Sequence, residues 1–325
     1  MKLIIQIPCY NEAATLAVTL GALPKTLPGI DEVEWLVIDD GSSDGTAEVA
    51  LANGVQHVVS LPRNRGLAVA FMTGIDACLR RGADIIVNTD ADNQYQADDI
   101  PLLIAPILEE AAEIVVGARP IGEIAHFSPV KKSLQRLGSW AVRVVSGTDV
   151  PDAPSGFRAF TREAALRFNV FNSYTYTLET IIQAGQSGMA VTSVPVRVNG
   201  DLRPSRLVKS VGTYVRRSLV TIFRIFMTYN PARTFMVPGV AFLGLAAIVG
   251  ARFLWLSYLG EGSGHVQSLI LASILAGVGT QLILFGLLAE LLSVNRRLLE
   301  DIQVRSRRLD ISLDPSFKPE TDRVA

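Results

Sequence analysis

Through its first two hundred residues the chain alternates short apolar runs with amphipathic stretches. Residues 3–8 (LIIQIP) predict a buried strand ending in a loop, and 13–23 a helix. A strand runs through EWLVIDD into the polar turn GSSDGT, and residues 46–53 begin the next helix. Residues 55–60 predict a strand, 68–81 a helix, and ADIIVNTDAD a strand ending in acids. Residues 100–110 predict another helix and AEIVVGARP another strand. Such alternation predicts an open, mostly parallel α/β sheet with helices on both faces. Ligands bind such sheets beyond the carboxyl ends of the strands. Asp39 and Asp40, Asp90 and Asp92, and Arg119 all fall at those ends.

After residue 204 the pattern changes. On a helical wheel Arg206, Lys209, Arg216, Arg217 and Arg224 share one arc, and Leu207, Val211, Val215, Leu219, Ile222 and Phe226 the opposite one. A basic amphipathic helix of this kind suits a membrane interface. Residues 234–251 and 266–289 carry no charge, and a bilayer core needs about 20 apolar residues per helix. The link YLGEGSGH is short enough for a hairpin turn, and Arg252 can snorkel beside Trp255 and Tyr258. Arginines crowd both outer flanks, so the positive-inside rule predicts cytoplasmic flanks and an external turn. These patterns divide the chain into an α/β domain (1–204), a juxtamembrane helix (205–232), a two-helix transmembrane hairpin (233–294) and a basic, partly disordered cytoplasmic tail (295–325). A soluble helical hairpin, buried in its own protein, is the competing expectation for 233–294.

Composition changes the picture little. The formal net charge of the 325 residues is −1, which argues neither for nor against nucleic acid; the apolar face beside the basic stretch favours a membrane. Cys9 and Cys78 form no disulfide framework and read as small buried residues. His57, His126 and His265 lack zinc-ligand spacing. The first residues, MKLIIQIPCYNE, are too briefly apolar for a signal peptide, so the α/β domain is expected in the cytoplasm.

The chemistry is concentrated in a few motifs. In NTDADNQY, Asp90 and Asp92 flank one small residue at a strand end, and in an extended chain they point the same way. Such a pair suits Mg²⁺ or Mn²⁺, which draw one or two carboxylates plus substrate phosphates. In VIDDGSSDGT an acid can accept a hydrogen bond from a base or ribose, or cap the following helix; Asp44 reads as the more structural and Asp40 as the more functional. The amides of NRGLAVA, at a helix start, can face an anion or simply cap.

Taken in order, IPCYNE, VIDDGSSDGT, NRGLAVAFMTGI, TDADNQ, VGAR and SGFRAFTRE resemble family 2 glycosyltransferases of the Rossmann-like GT-A fold, most closely the polyprenyl-phosphate sugar synthases. The resemblance covers residues 1 to about 210, and the amphipathic helix with two membrane helices also matches bacterial members. It implies a nucleoside pocket of Pro8, Tyr10, Glu12 and Asp40, and Asp90 and Asp92 as metal and diphosphate ligands with Gln94 as a third. It implies that Arg119 faces the donor or lipid phosphate and that Lys132, Arg136 and Arg203 hold the acceptor phosphate. Ser155, Gly156, Phe157 and Arg158 match the acceptor-side motif, although Arg158 fits a structural ion pair equally well. NQYQADD departs from the family's usual acid-rich continuation, which weakens any transfer of donor identity.

The implied activity is inverting transfer from a nucleotide-sugar, UDP-linked by preference, to a polyprenyl phosphate at the cytoplasmic face of a bacterial plasma membrane. The implied cofactor is Mg²⁺ or Mn²⁺. The partners are donor, lipid acceptor and membrane lipids, without nucleic acid; self-association is left open. Two alternatives are a different lipid or glycan acceptor and a non-catalytic membrane scaffold. No QxxRW-type sequence follows the acceptor region, against a processive synthase, and PCYNEAATL lacks the Gly-rich basic loop of a nucleotidyltransferase.

Overall fold

The computed structural model describes residues 1–120, 129–170, 176–200, 220, 223, 224, 227, 230–260 and 264–313. The juxtamembrane amphipathic helix therefore lies largely outside the described residues, and Arg203 wholly so.

By packing the chain divides into two units, Met1–Leu219 with Asp301–Ala325, and Val220–Glu300. The first is built on β1 (Lys2–Cys9), α1 (Ala13–Ala22), β2 (Glu32–Asp39), α2 (Thr46–Ala52), β3 (His57–Ser60), α3 (Leu67–Arg80), β4 (Ile85–Asn88), α4 (Ile100–Leu108) and β5 (Ile114–Ala118). There follow α5 (Pro129–Ser146), β6 (Arg158–Thr161), α6 (Arg162–Arg167), α7 (Thr177–Gln186) and β7 (Val191–Pro195). The seven strands form one sheet in the order β3-β2-β1-β4-β6-β5-β7. β6 runs antiparallel to both neighbours and the other pairings are parallel, so the expected mostly parallel α/β sheet is present.

β1 is apolar almost throughout because it is central and covered on both sides. Leu3, Ile5 and Ile7 join the core that includes Leu16, Leu20, Leu103 and Ile104. Gln6 points to the other face, where a Cβ on Gly74 of α3 would lie 2.4 Å from its side-chain oxygen. That face carries an aromatic cluster in which Phe71 of α3 stacks on Tyr176, ring centroids 3.7 Å apart, while Phe160 and Phe168 meet edge to face. Such pairs contribute about 0.5–1.5 kcal/mol each beyond the area they bury. Both cysteines are buried and free.

The second unit holds α8 (Pro231–Tyr258) and most of α9 (Val266–Ser312). Both helices are long and apolar enough to cross a membrane, and only 11% and 17% of their most apolar windows are buried. Ile248, Leu254, Leu288 and Leu292 are among the exposed side chains of these helices. Gly239 and Gly279 let the helices meet at their backbones, since a Cβ on Gly279 would lie 2.9 Å from the Gly239 carbonyl. α9 continues past the sequence boundary at 294. Beyond residue 300 it packs on the α/β domain, where Arg307 donates to the Leu166 and Phe168 carbonyls at 3.1 and 3.0 Å.

Candidate active site

The carboxyl ends of β1, β2, β4, β5 and β7 lie along one edge of the sheet, and antiparallel β6 begins at that same edge, Arg158 opposite Asn88. The loops after β1, β2 and β4 thus become neighbours. Pro8 is buried in β1 beyond the last rung to β4, at Gln6, so its missing N–H removes no ladder bond on that side. Tyr10 is exposed at the rim, while Glu12 is buried and accepts a bond from the Thr15 hydroxyl at 2.9 Å.

The loop after β2 carries an exposed acid, Asp44, and a buried one, Asp40. Asp44 accepts from the Ala13 amide and from the amide and hydroxyl of Thr46, at 3.0, 3.1 and 2.5 Å. Burial works against its charge, yet the bonds from Thr46 and Ala13 outweigh that and hold its carboxyl below the usual range. Asp40, unlike the exposed Asp44, is buried, and its two oxygens accept the Arg65 and Gly66 amides, each at 2.8 Å. The Arg65 and Gly66 amides of NRGLAVA thus bind the Asp40 carboxylate. Each Asp40 oxygen keeps a second lone pair.

β4 ends at Asn88, and the chain turns through 91–92 instead of staying extended. Asp92 accepts the Gln94 amide at 3.2 Å, and Asn93 takes a left-handed φ of 55°. The two aspartates are brought together by this turn and not by strand alternation. Burial, then the Asp92 carboxylate, push Asp90 up to about 7, with Arg119 pulling the other way. Among the described residues no group of three or more His, Cys, Asp or Glu could enclose a metal. Two carboxylates, with the side-chain carbonyl of Gln94 as a further oxygen, would nevertheless suit a hard divalent ion that also draws on substrate phosphates. A cation would relieve the strain on an ionised Asp90.

Behind Asp90 lies a polar wall. Asn88 accepts from Gln6 at 2.9 Å and donates to the Gly156 carbonyl and the Tyr176 hydroxyl, both at 2.8 Å. The Tyr95 hydroxyl accepts the Gly156 amide at 3.0 Å. Arg158 is fully buried and donates to the carbonyls of Ser155, Thr177 and Ala153 and to the Thr180 hydroxyl, at 2.6–2.8 Å. Burial lowers its pKa to about 10. Its bonds go to backbone and hydroxyl oxygens, so it organises the loop before β6 rather than forming an ion pair.

Arg119, at the end of β5, is gripped by Asp152. No periodic or motif signal marks Asp152, a lone acid between prolines in DVPDAPSG. α5 carries Arg136 on its exposed side with Leu137, Trp140 and Val144, an outward apolar stripe. Lys132 lies near the start of α5, and its side chain is outside the described part.

A sheet of this order, with one antiparallel strand among parallel ones, is that of the GT-A fold. The glucosyl-3-phosphoglycerate synthase of Mycobacterium tuberculosis, solved with Mn²⁺, UDP and glucosyl-3-phosphoglycerate, shares the fold at TM-score 0.53 and 24% identity over 68% of this chain and 79% of its own. Residues 4–167 match the Glycosyl transferase family 2, and the chain belongs to that family: it is a glycosyltransferase. The undecaprenyl-phosphate mannosyltransferase of Micrococcus luteus is 28% identical over 69% of this chain and 93% of its own. Glycosyltransferase AglJ of Haloferax volcanii is 30% identical over 91% and 95%, a likeness reaching into the apolar helices. The expected resemblance to polyprenyl-phosphate sugar synthases holds.

Proposed function

We propose that the protein transfers a sugar, with inversion, from a nucleotide-sugar to a polyprenyl phosphate at the cytoplasmic face of a membrane. One observation carries the reading: a single chain joins the Asp90 and Asp92 carboxylates to two long helices whose apolar side chains face outward. A transferase for soluble acceptors has no need of such helices. The M. luteus relative, an undecaprenyl-phosphate mannosyltransferase by name, supports the acceptor class. The outward stripe of α5 and the arginine-rich flanks of the hairpin support a domain working at the headgroup layer on the cytoplasmic side.

Asp90, Asp92 and Gln94 would hold Mg²⁺ or Mn²⁺, whose charge offsets that of the departing nucleoside diphosphate. Pro8, Tyr10, Glu12 and Asp40 line the nucleoside side. A UDP-sugar is the favoured donor and GDP-mannose the alternative. Arg119 presents its guanidinium to phosphate at a position set by Asp152. Lys132, Arg136 and Arg203 bind the acceptor phosphate. One phosphate oxygen, already ionised near neutral pH, attacks the anomeric carbon as the bond to the diphosphate oxygen breaks. No proton must leave the nucleophile, so no general base is assigned.

Asp92→Ala tests this directly. The folded variant, assayed in membranes with Mn²⁺, is expected to lose transfer by at least about 10³-fold. Near-normal turnover from the folded variant would overturn the metal site.

A further inference from the structure

The loop that follows Asp92 is fastened along its length by the segment just after β7. Tyr95 and Val198 form an antiparallel bridge. Asn199 donates from Nδ2 to the Asn93 carbonyl at 2.9 Å and to the Tyr95 carbonyl at 3.3 Å. Its own amide donates to the Gln94 carbonyl at 2.9 Å. Further along, the Gln96 amide donates to the Arg197 carbonyl at 3.3 Å. The Arg197 amide and guanidinium grip buried Asp99, at 2.7 Å from the amide and 2.6 Å from Nη2.

Asn199 thus takes three successive carbonyls, those of residues 93, 94 and 95. The first belongs to Asn93, whose left-handed φ of 55° sets the directions in which Asp92 and Gln94 leave the turn. A left-handed residue other than glycine persists where its surroundings hold it. A fixed backbone at Gln94 also keeps its amide on the Asp92 carboxylate, 3.2 Å away. Outer hydrogen bonds of this kind orient metal ligands, and losing them typically weakens metal binding about 10–100-fold.

We propose that Asn199 is a positioning residue for the divalent-ion and diphosphate site: by holding the carbonyls of Asn93, Gln94 and Tyr95 it fixes Asp92 and Gln94 for their ligand. The inference rests on the metal site of the proposed function and deepens it. In sequence, Arg203 and the basic stretch begin four residues after Asn199. The same short segment therefore connects the donor-side loop to the stretch assigned to the lipid acceptor.

The test is Mn²⁺ binding by the full-length protein in detergent micelles. The free-Mn²⁺ electron paramagnetic resonance signal is titrated with UDP and, separately, with GDP. Wild type, Asn199→Ala, Asn199→Asp, Asn199→Ser and Asp92→Ala are compared, each with a melting curve in metal-free buffer. Asn199→Asp keeps size and backbone amide but replaces two donors with acceptors facing carbonyls. Asn199→Ala and Asn199→Ser are expected to bind Mn²⁺ about tenfold more weakly and Asn199→Asp more weakly still. Metal-free melting of the alanine variant should move by only a few degrees, and kcat at saturating Mn²⁺ should stay within about threefold. A purely structural Asn199 would lower melting and active fraction while leaving Mn²⁺ affinity per folded molecule unchanged, and that result overturns the inference. Should Asn199→Asp not fold, the alanine and serine variants decide. Absent Mn²⁺ binding by wild type, or unaltered binding by Asp92→Ala, overturns the metal-site reading and the inference together. Binding lost in Asp92→Ala but kept in all folded Asn199 variants overturns the inference alone.

Discussion

Arg119 and Asp152 form a two-point ion pair, Nε to Oδ2 at 2.7 Å and Nη2 to Oδ1 at 3.0 Å. The Arg119 amide also donates to Oδ2 at 3.2 Å, and the two side chains are only 8% and 1% exposed. A paired fork of this sort fixes a guanidinium plane as well as neutralising it. Asp152→Asn keeps the shape but leaves a buried cation without its counter-charge. The expected loss is about 3–5 kcal/mol of stability, read by chemical denaturation. Because Arg119 is then free to shift, kcat/KM should fall about 100-fold even in the folded fraction.

Asp90 makes stability depend on pH in an unusual direction. Its carboxyl is raised from the ordinary 3.8 to about 7 in the folded protein. Between those values the folded state holds a proton that the unfolded state has released. Its stabilising contribution is therefore complete below the lower value and is lost as pH rises through about 7, by at most about 1.4 kcal/mol per unit. Mn²⁺ competes with that proton, so the rise in Tm on adding Mn²⁺ should grow from pH 5 to 8. Asp90→Asn should flatten the metal-free decline, melt above wild type at pH 8 in EDTA, and gain nothing from Mn²⁺. Melting curves across pH with and without Mn²⁺ check all three.

Gly156 brings the backbone close to Asp90. A Cβ there would lie 2.9 and 3.0 Å from the Asp90 carboxylate oxygens and 3.2 Å from the Tyr176 hydroxyl. Gly156→Ala forces either Asp90 or the loop before β6 to move. Overpacking of this kind costs about 1–3 kcal/mol, which a domain of this size should survive. Transfer at low Mn²⁺ should fall about 10–100-fold, with partial recovery at high Mn²⁺. Steady-state kinetics over a Mn²⁺ series checks this.

Much of the α/β domain is legible in the sequence because its central strands are covered on both faces and read as unbroken apolar runs. Residues 3–8, the VID of β2 and the IIV of β4 lie in strands, each followed by its polar loop. β6 and β7 are not legible in the same way. RAFT is four residues long, and its antiparallel direction is set by distant partners, Asn88 and Val116, that no local pattern announces. The site shows the same division. Asp90, Asp92 and Arg119 stand out because each closely follows an apolar strand. The hydrogen bonds of Asp152, Asn88, Tyr176 and Asn199 arise only when the sheet edge brings these residues together. The pairing of Asp40 with the amides of Arg65 and Gly66 is equally hidden, because an acid that binds backbone amides and one that binds a ligand look alike in sequence.

The most direct test of the central claim is transfer of label from a panel of nucleotide-sugars into organic-extractable lipid, using membranes that contain the protein, undecaprenyl phosphate and Mn²⁺ or Mg²⁺. Metal-dependent label is expected from one donor in a lipid cleaved by mild acid, and none with Asp92→Ala. Protein shown to be folded that labels no lipid from any donor would contradict the claim.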